Sequence, residues 1–112
     1  HYAPDAELIV VEGEFGSAIK KIQELADEYS RKGKKVGIMA TDESPRYSAD
    51  VVEVAGSRGE LATVAKNLFR VLRKFDEAKV DVIIAEGIET KELGLAIMNR
   101  LRKAAGYEVI RV

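Results

Sequence analysis

Acids stand at three places where chemistry would gather if this chain folds as alternating strands and helices. Glu12 follows the apolar run Leu8–Val11, Asp42 and Glu43 follow Val36–Ala40, and Glu86 follows Val82–Ala85. In an open α/β sheet, ligands collect outside the carboxyl ends of the strands. Carboxylates converging there could hold a hard cation such as Mg²⁺. The plainer explanation is that strand-end loops are wet and charged, and no metal site is assigned on this pattern. Gly13, Gly16 and Ser17 join the first strand to the first helix. Glycines there let the backbone approach an anion, and a helix N-terminus favours one. The segment is neither a dinucleotide fingerprint nor a Walker A loop, because no lysine follows the glycines. Glu12 and Glu14 would also repel a phosphate, and a turn glycine with Ser17 as the helix N-cap explains the same residues. Ser57 and Arg58, between Gly56 and Gly59, form a second candidate anion site that does carry a cation. A simple turn accounts for these too.

Other chemistry is thin. His1 is the only histidine, so neither a histidine-based triad nor a histidine metal cluster can be assembled. With no cysteine there is no disulfide and no thiolate. Arg70, Arg73 and Lys74, and again Arg100, Arg102 and Lys103, lie in helical segments that carry Glu and Asp elsewhere. They read as solvated faces rather than a nucleic-acid stripe, and the tyrosines form no obvious stacking platform. No direct nucleic-acid binding is expected.

Short apolar runs and helical faces alternate to position these groups. Strands are expected at Leu8–Val11, Val36–Ala40, Val51–Val54, Val82–Ala85 and Glu108–Val112. Ala18, Ile19, Ile22, Leu25, Ala26 and Tyr29 recur at helical spacing from Ser17 to about Lys32, where Gly33 supplies the stop. A second helical face runs from Leu61 to Phe75, with Leu68 and Phe69 expected to be buried against the sheet. A third runs from Leu93 to Ala104 and stops at Gly106. Strands that are continuously apolar are covered on both faces. The order predicts a three-layer, Rossmann-like α/β domain: a mostly parallel five-stranded sheet with three helices. The stretch Thr41–Asp50 is short for a parallel crossover and has no helical pattern. The third strand is expected to be parallel, with an antiparallel edge strand as the alternative.

At 112 residues the chain holds one core, and the apolar share of 46% is ordinary for a folded domain. No apolar run approaches the length of a membrane span, so no membrane partner is expected. The net charge of −1 gives no global pull on nucleic acid. Charged residues reach 33%, with amides confined to Asn67, Asn99 and Gln23. That balance suggests a thermophile, read here as archaeal. The absence of cysteine fits a cytoplasmic location.

Two helical segments carry a resemblance, Ala65-Lys66-Asn67-Leu68-Phe69-Arg70-Val71-Leu72-Arg73-Lys74-Phe75-Asp76 and Gly94-Leu95-Ala96-Ile97-Met98-Asn99-Arg100-Leu101-Arg102-Lys103-Ala104-Ala105. With His1-Tyr2-Ala3-Pro4 at the start, the chain resembles the C-terminal domain of long-form threonylcarbamoyladenylate synthases, preceded by the end of their interdomain linker motif. The resemblance implies residues 1–7 as linker and 8–112 as one Rossmann-like accessory domain. It implies a full-length enzyme that makes threonylcarbamoyl-AMP and pyrophosphate from threonine, bicarbonate and ATP with Mg²⁺, for a transfer-RNA modification. Its partner would be a YrdC-like catalytic domain N-terminal to this chain. No catalytic residue transfers, so the chain alone is expected to be inactive. His1, Tyr2 and Pro4 match the linker motif, which lies over the catalytic opening in that family. Pro4 favours extended geometry at Ala3, and Tyr2 offers a flat ring with a hydroxyl at its rim, as a lid would need.

Overall fold

The computed structural model describes residues 3–112, so His1 and Tyr2 lie outside the described residues. Eight elements follow in order: β1 (Glu7–Glu12), α1 (Phe15–Arg31), β2 (Val36–Ala40), β3 (Val51–Val54), α2 (Leu61–Ala78), β4 (Val82–Glu86), α3 (Leu93–Ala104) and β5 (Val109–Arg111). The strands form one sheet in the order β3-β2-β4-β1-β5, and every pairing is parallel. Alternate residues of each strand feed opposite cores. Ile9, Val11, Ile38 and Ile84 meet Ala18, Ile22, Leu25 and Ala26 of α1 on one face. Leu8, Val10, Met39, Ile83 and Ala85 meet Leu68, Leu72, Phe75, Ile97 and Leu101 of α2 and α3 on the other. The chain moves one way along the sheet through α1 and back through α2 and α3. Right-handed crossovers require helices on opposite faces for opposite directions of travel.

The third strand is parallel and sits at the sheet edge, beside β2, which removes the antiparallel alternative. The connection needs no helix. Ten residues, 41–50, separate β2 from β3 and can span roughly 33 Å extended, about twice the length of a five-residue strand. Two anchors hold this loop. The Val36 N–H donates to Asp50 Oδ2 at 2.8 Å, and the buried Tyr47 packs on the α1 side of the sheet.

Two expectations need correction. Helix α1 begins at Phe15, capped by Glu14 rather than Ser17. Its carboxylate accepts from the Gly16 and Ser17 N–H groups, both at 2.8 Å. A glutamate reaches two amides at once, where a serine hydroxyl at Ser17 would have left the first turn uncapped. In α2, Leu68 is buried as expected, but Phe69 is only partly so. Phe75 takes the central place, with its ring over Gly37 of β2, where a Cβ would lie 2.6 Å from the ring.

Candidate functional site

Because all strands run parallel, Glu12, Thr41, Glu86 and Arg111 emerge at one edge of the sheet. The chain leaves β1 toward α1 on one face and leaves the adjacent β4 toward α3 on the other. This divergence opens a crevice of the kind that binds ligands in α/β sheets. A cavity of about 470 Å³ occupies it, lined by Glu12, Gly13, Arg58, Ile88, Glu89, Thr90, Arg111 and Val112.

Glu86 is the keystone beneath it. The residue is 2% exposed, yet both carboxylate oxygens are fully engaged. Oε1 accepts from Thr41 Oγ1 at 2.9 Å and from Arg58 Nη2 at 3.0 Å. Oε2 accepts from Tyr47 Oη at 2.5 Å and from the Ser44 hydroxyl. Four donors satisfy a buried carboxylate that would otherwise be costly to desolvate. They also tie the end of β4 to the β2–β3 loop and to the turn after β3. Burial first, and then the hydrogen bond to Glu86, push the Tyr47 phenol well above its ordinary range, so it remains a donor. Arg58 is fixed from every side. It also donates to the Gly87 carbonyl at 2.9 Å and lies 3.8 Å from the centroid of the Phe15 ring, a cation–π arrangement.

Two other acids of this edge, Glu12 and Glu43, have donors as well. Glu12 accepts two bonds of 2.7 Å from Arg102, and that pairing holds its carboxyl below the ordinary range. Glu43 accepts from Ser57 Oγ at 2.5 Å and from the Arg58 N–H at 2.7 Å, and the Ser57 bond is the larger cause of its lowered pKa. Among the described residues, no group of three or more acids is placed to hold a metal ion. The arrangement is a brace that presents Arg58, not a set of open carboxylates.

The sequence-predicted residues separate accordingly. Gly13 and Arg58 line the same cavity. Gly13 has φ +133°, and a Cβ there would lie 2.3 Å from the Val112 carbonyl oxygen, so its glycine is explained by close approach. The Gly16 and Ser17 amides face the Glu14 carboxylate, and Ser17 Oγ donates to it at 2.9 Å. Ser57 is turned to Glu43. Pro4 is half-buried just before β1. Sequence reasoning missed Thr41, Ser44, Tyr47, Phe15 and Arg102. Only the loop's hydroxyl groups, spaced three residues apart at Thr41, Ser44 and Tyr47, hinted at a shared acceptor.

These features define a small doubly wound parallel α/β domain with a braced, arginine-bearing carboxyl edge. The chain belongs to the family described as the threonylcarbamoyl-AMP synthase C-terminal domain, whose model matches residues 1–106. It is 52% identical over 112 residues to a threonylcarbamoyl-AMP synthase of Pyrococcus abyssi, covering 100% of this chain and 32% of that protein. The corresponding figures for a threonylcarbamoyl-AMP synthase of Bacillus subtilis are 51%, 99% and 31%. The chain thus spans about a third of the length of these relatives. Among solved structures, the P. abyssi Sua5 complexed with L-threonine aligns at a TM-score of 0.91 with 50% identity, covering 100% of this chain and 32% of that one. The isolated C-terminal Sua5 domain from Pyrococcus horikoshii aligns at 0.81 with 48% identity, covering 98% and 100%.

Proposed function

We propose that this chain is the accessory domain of a threonylcarbamoyl-AMP synthase and acts through residues 1–7 as a lid or regulator on an N-terminal YrdC-like catalytic domain. The full-length protein would join threonine, bicarbonate and ATP, with Mg²⁺, into threonylcarbamoyl-AMP and pyrophosphate in the cytoplasm, for transfer-RNA modification. ATP and Mg²⁺ would belong to the other domain. Here the turn after β1 is capped by its own Glu14, and Glu86 and Glu12 are already paired with Arg58 and Arg102. One observation carries the lid reading: the strap departs from a fixed point. The Asp5 N–H donates to Asp76 Oδ1 at 3.0 Å, the Glu7 N–H donates to the Asp81 carbonyl at 3.3 Å, and Ala6 packs on the core beside α2. On this reading the anchors at residues 5–7 give the linker a firm base on this domain. Closure over a catalytic opening would exclude water and protect a labile product.

The test is made in the full-length protein. Tyr2→Ala should lower threonylcarbamoyl-AMP formation strongly and leave the melting of this domain unchanged, while this chain alone should release no pyrophosphate from the substrates. Product formation by Tyr2→Ala at the parental rate would reduce the strap to a tether. A second reading, a free-standing regulatory α/β module that binds a small ligand or anion at its carboxyl edge, draws on the cavity that Arg58 and Arg111 share with Gly13.

A further inference from the structure

The basic residues at the end of α3 form a surface that the lid reading does not use and that shares only Arg111 with the carboxyl-edge cavity. Arg100 and Lys103, three apart, share one helical face. Strand β5 brings Arg111 to the same place by pairing beside β1. Together with Asn99, Arg102 and Tyr107 they line a cavity of about 490 Å³, with no carboxylate in its wall. Arg102 is neutralised by Glu12. Among the described residues, Arg100 and Lys103 make no ion pair, and Arg111 makes none within 4 Å, although Glu12 is its neighbour across the strands and feels its charge. Glu108, the nearest acid in sequence, is turned to Glu7 and Tyr29.

A helix C-terminus favours cations through its dipole, which accounts for Arg102 and Lys103 in the last turn. It does not account for Arg111 or for Tyr107. The tyrosine is 69% exposed at φ +64°, directly after Gly106 at φ +60°. Two successive left-handed residues turn the ring outward, in a conformation that a non-glycine residue adopts at a cost. The Tyr107 N–H donates to the Arg102 carbonyl at 2.8 Å, which holds the turn. The cavity thus combines the unpaired Arg100 and Lys103, and Arg111 beside a Glu12 that Arg102 already engages, with an exposed aromatic face and an amide side chain. Arginine takes phosphate through two parallel N–H bonds, and a tyrosine ring stacks on a base.

We propose that this surface binds a nucleoside phosphate: the phosphate on Arg100, Lys103 and Arg111, the base on the Tyr107 ring. The ligand could be a free nucleotide or one unit of a single RNA strand, since both present the same two parts.

The chain can be tested by itself. Its sheet is covered on both faces, and the isolated P. horikoshii domain of the same fold has been crystallised. Equilibrium dialysis against AMP, inorganic phosphate and an oligoadenylate should show saturable AMP binding, about tenfold or more tighter than phosphate, the factor expected from one stacked base. Tyr107→Ala should remove that advantage and Tyr107→Phe should keep it. The double variant Arg100→Ala/Lys103→Ala should weaken all three ligands. Oligoadenylate bound far more tightly than AMP, with a steep salt dependence, would assign the site to RNA, and equal affinity per nucleotide would assign it to the free nucleotide. Either result supports the proposal. Circular dichroism melts guard against loss of fold, which the exposure of these side chains makes improbable as a cause. AMP bound no better than phosphate, binding indifferent to Tyr107→Ala, or no binding at millimolar AMP would each overturn it.

Discussion

Glu86→Gln probes the brace at the carboxyl edge most directly. The substitution keeps the shape and replaces one oxygen with an NH₂ group. Arg58 can only donate, so the remaining amide oxygen must face Arg58 and Thr41. The new NH₂ then faces Tyr47 and Ser44, which now donate to Oε2. Their hydroxyl hydrogens can rotate away so that the oxygens accept from the NH₂ instead, but the charge-assisted bonds are gone. Breaking a buried pair outright costs roughly 3–5 kcal/mol. Arg58 is 21% exposed in its side chain and can recover some hydration, so a loss of about 2–3 kcal/mol is expected for Gln. Ala removes the shared acceptor of all four donors and the charge that answers Arg58, and should lose about 4 kcal/mol or more. For a domain near 100 residues, each kcal/mol shifts the melting temperature by roughly 4 °C. Thermal melts at neutral pH should therefore place the Gln variant about 8–12 °C below the parent, with Ala lower still. A Gln variant melting within about 2 °C of the parent would refute the keystone role.

Gly37→Ala should destabilise by about 1–3 kcal/mol in urea titration, because the added Cβ would sit 2.6 Å from the Phe75 ring. Glu108 yields a pH dependence. Partial removal of its carboxyl from water, and then the neighbouring Glu7, raise its pKa to about 7 from the ordinary 4.5. The folded state holds this proton more tightly than the unfolded state. Stability from this group is therefore complete below the ordinary pKa, falls as pH rises toward 7, and is lost above it. Glu108→Gln should raise the melting temperature at pH ~8 and leave it unchanged at pH ~4; equal shifts at both would dismiss the titration.

The architecture was legible because each strand is a short apolar run and each helix repeats its apolar face. The strands at Val36–Ala40 and Val51–Val54 and the helix Leu93–Ala104 fall where the pattern puts them. Helix faces were read less finely. Adjacent Leu68 and Phe69 cannot both point at the sheet when successive residues turn by about 100°, and the buried ring proved to be Phe75. The start of α1 was missed because hydroxyl residues are the usual caps, while here the longer Glu14 side chain reaches back to its own helix. The brace was invisible for a different reason. Thr41, Ser44 and Tyr47 lie 45, 42 and 39 residues from Glu86, and Arg102 lies 90 from Glu12. Only the strand order β3-β2-β4-β1-β5 makes them neighbours. Glu12 and Glu86 could be picked out as strand-end acids, but not which cations would answer them.

The same strand order separates the two ends of the domain. The strap enters at the amino end of β1, beside Asp76 and Asp81. The cavity with Arg58 and Arg111 opens at the carboxyl end of that strand, six residues further along, roughly 20 Å away. The anchors of residues 5–7 and the cavity thus lie at opposite ends of β1. Between them stands β1, whose residues Leu8–Val11 are at most 3% exposed and packed on both faces. Such a strand has no second packing to switch into, and coupling between distant sites needs an element with two discrete arrangements. On the proposed function, the domain therefore acts on its partner as a rigid body. It sets where the strap lies by docking as a whole, and any occupant of the carboxyl edge would act by altering that docking surface rather than by relaying a change through the sheet.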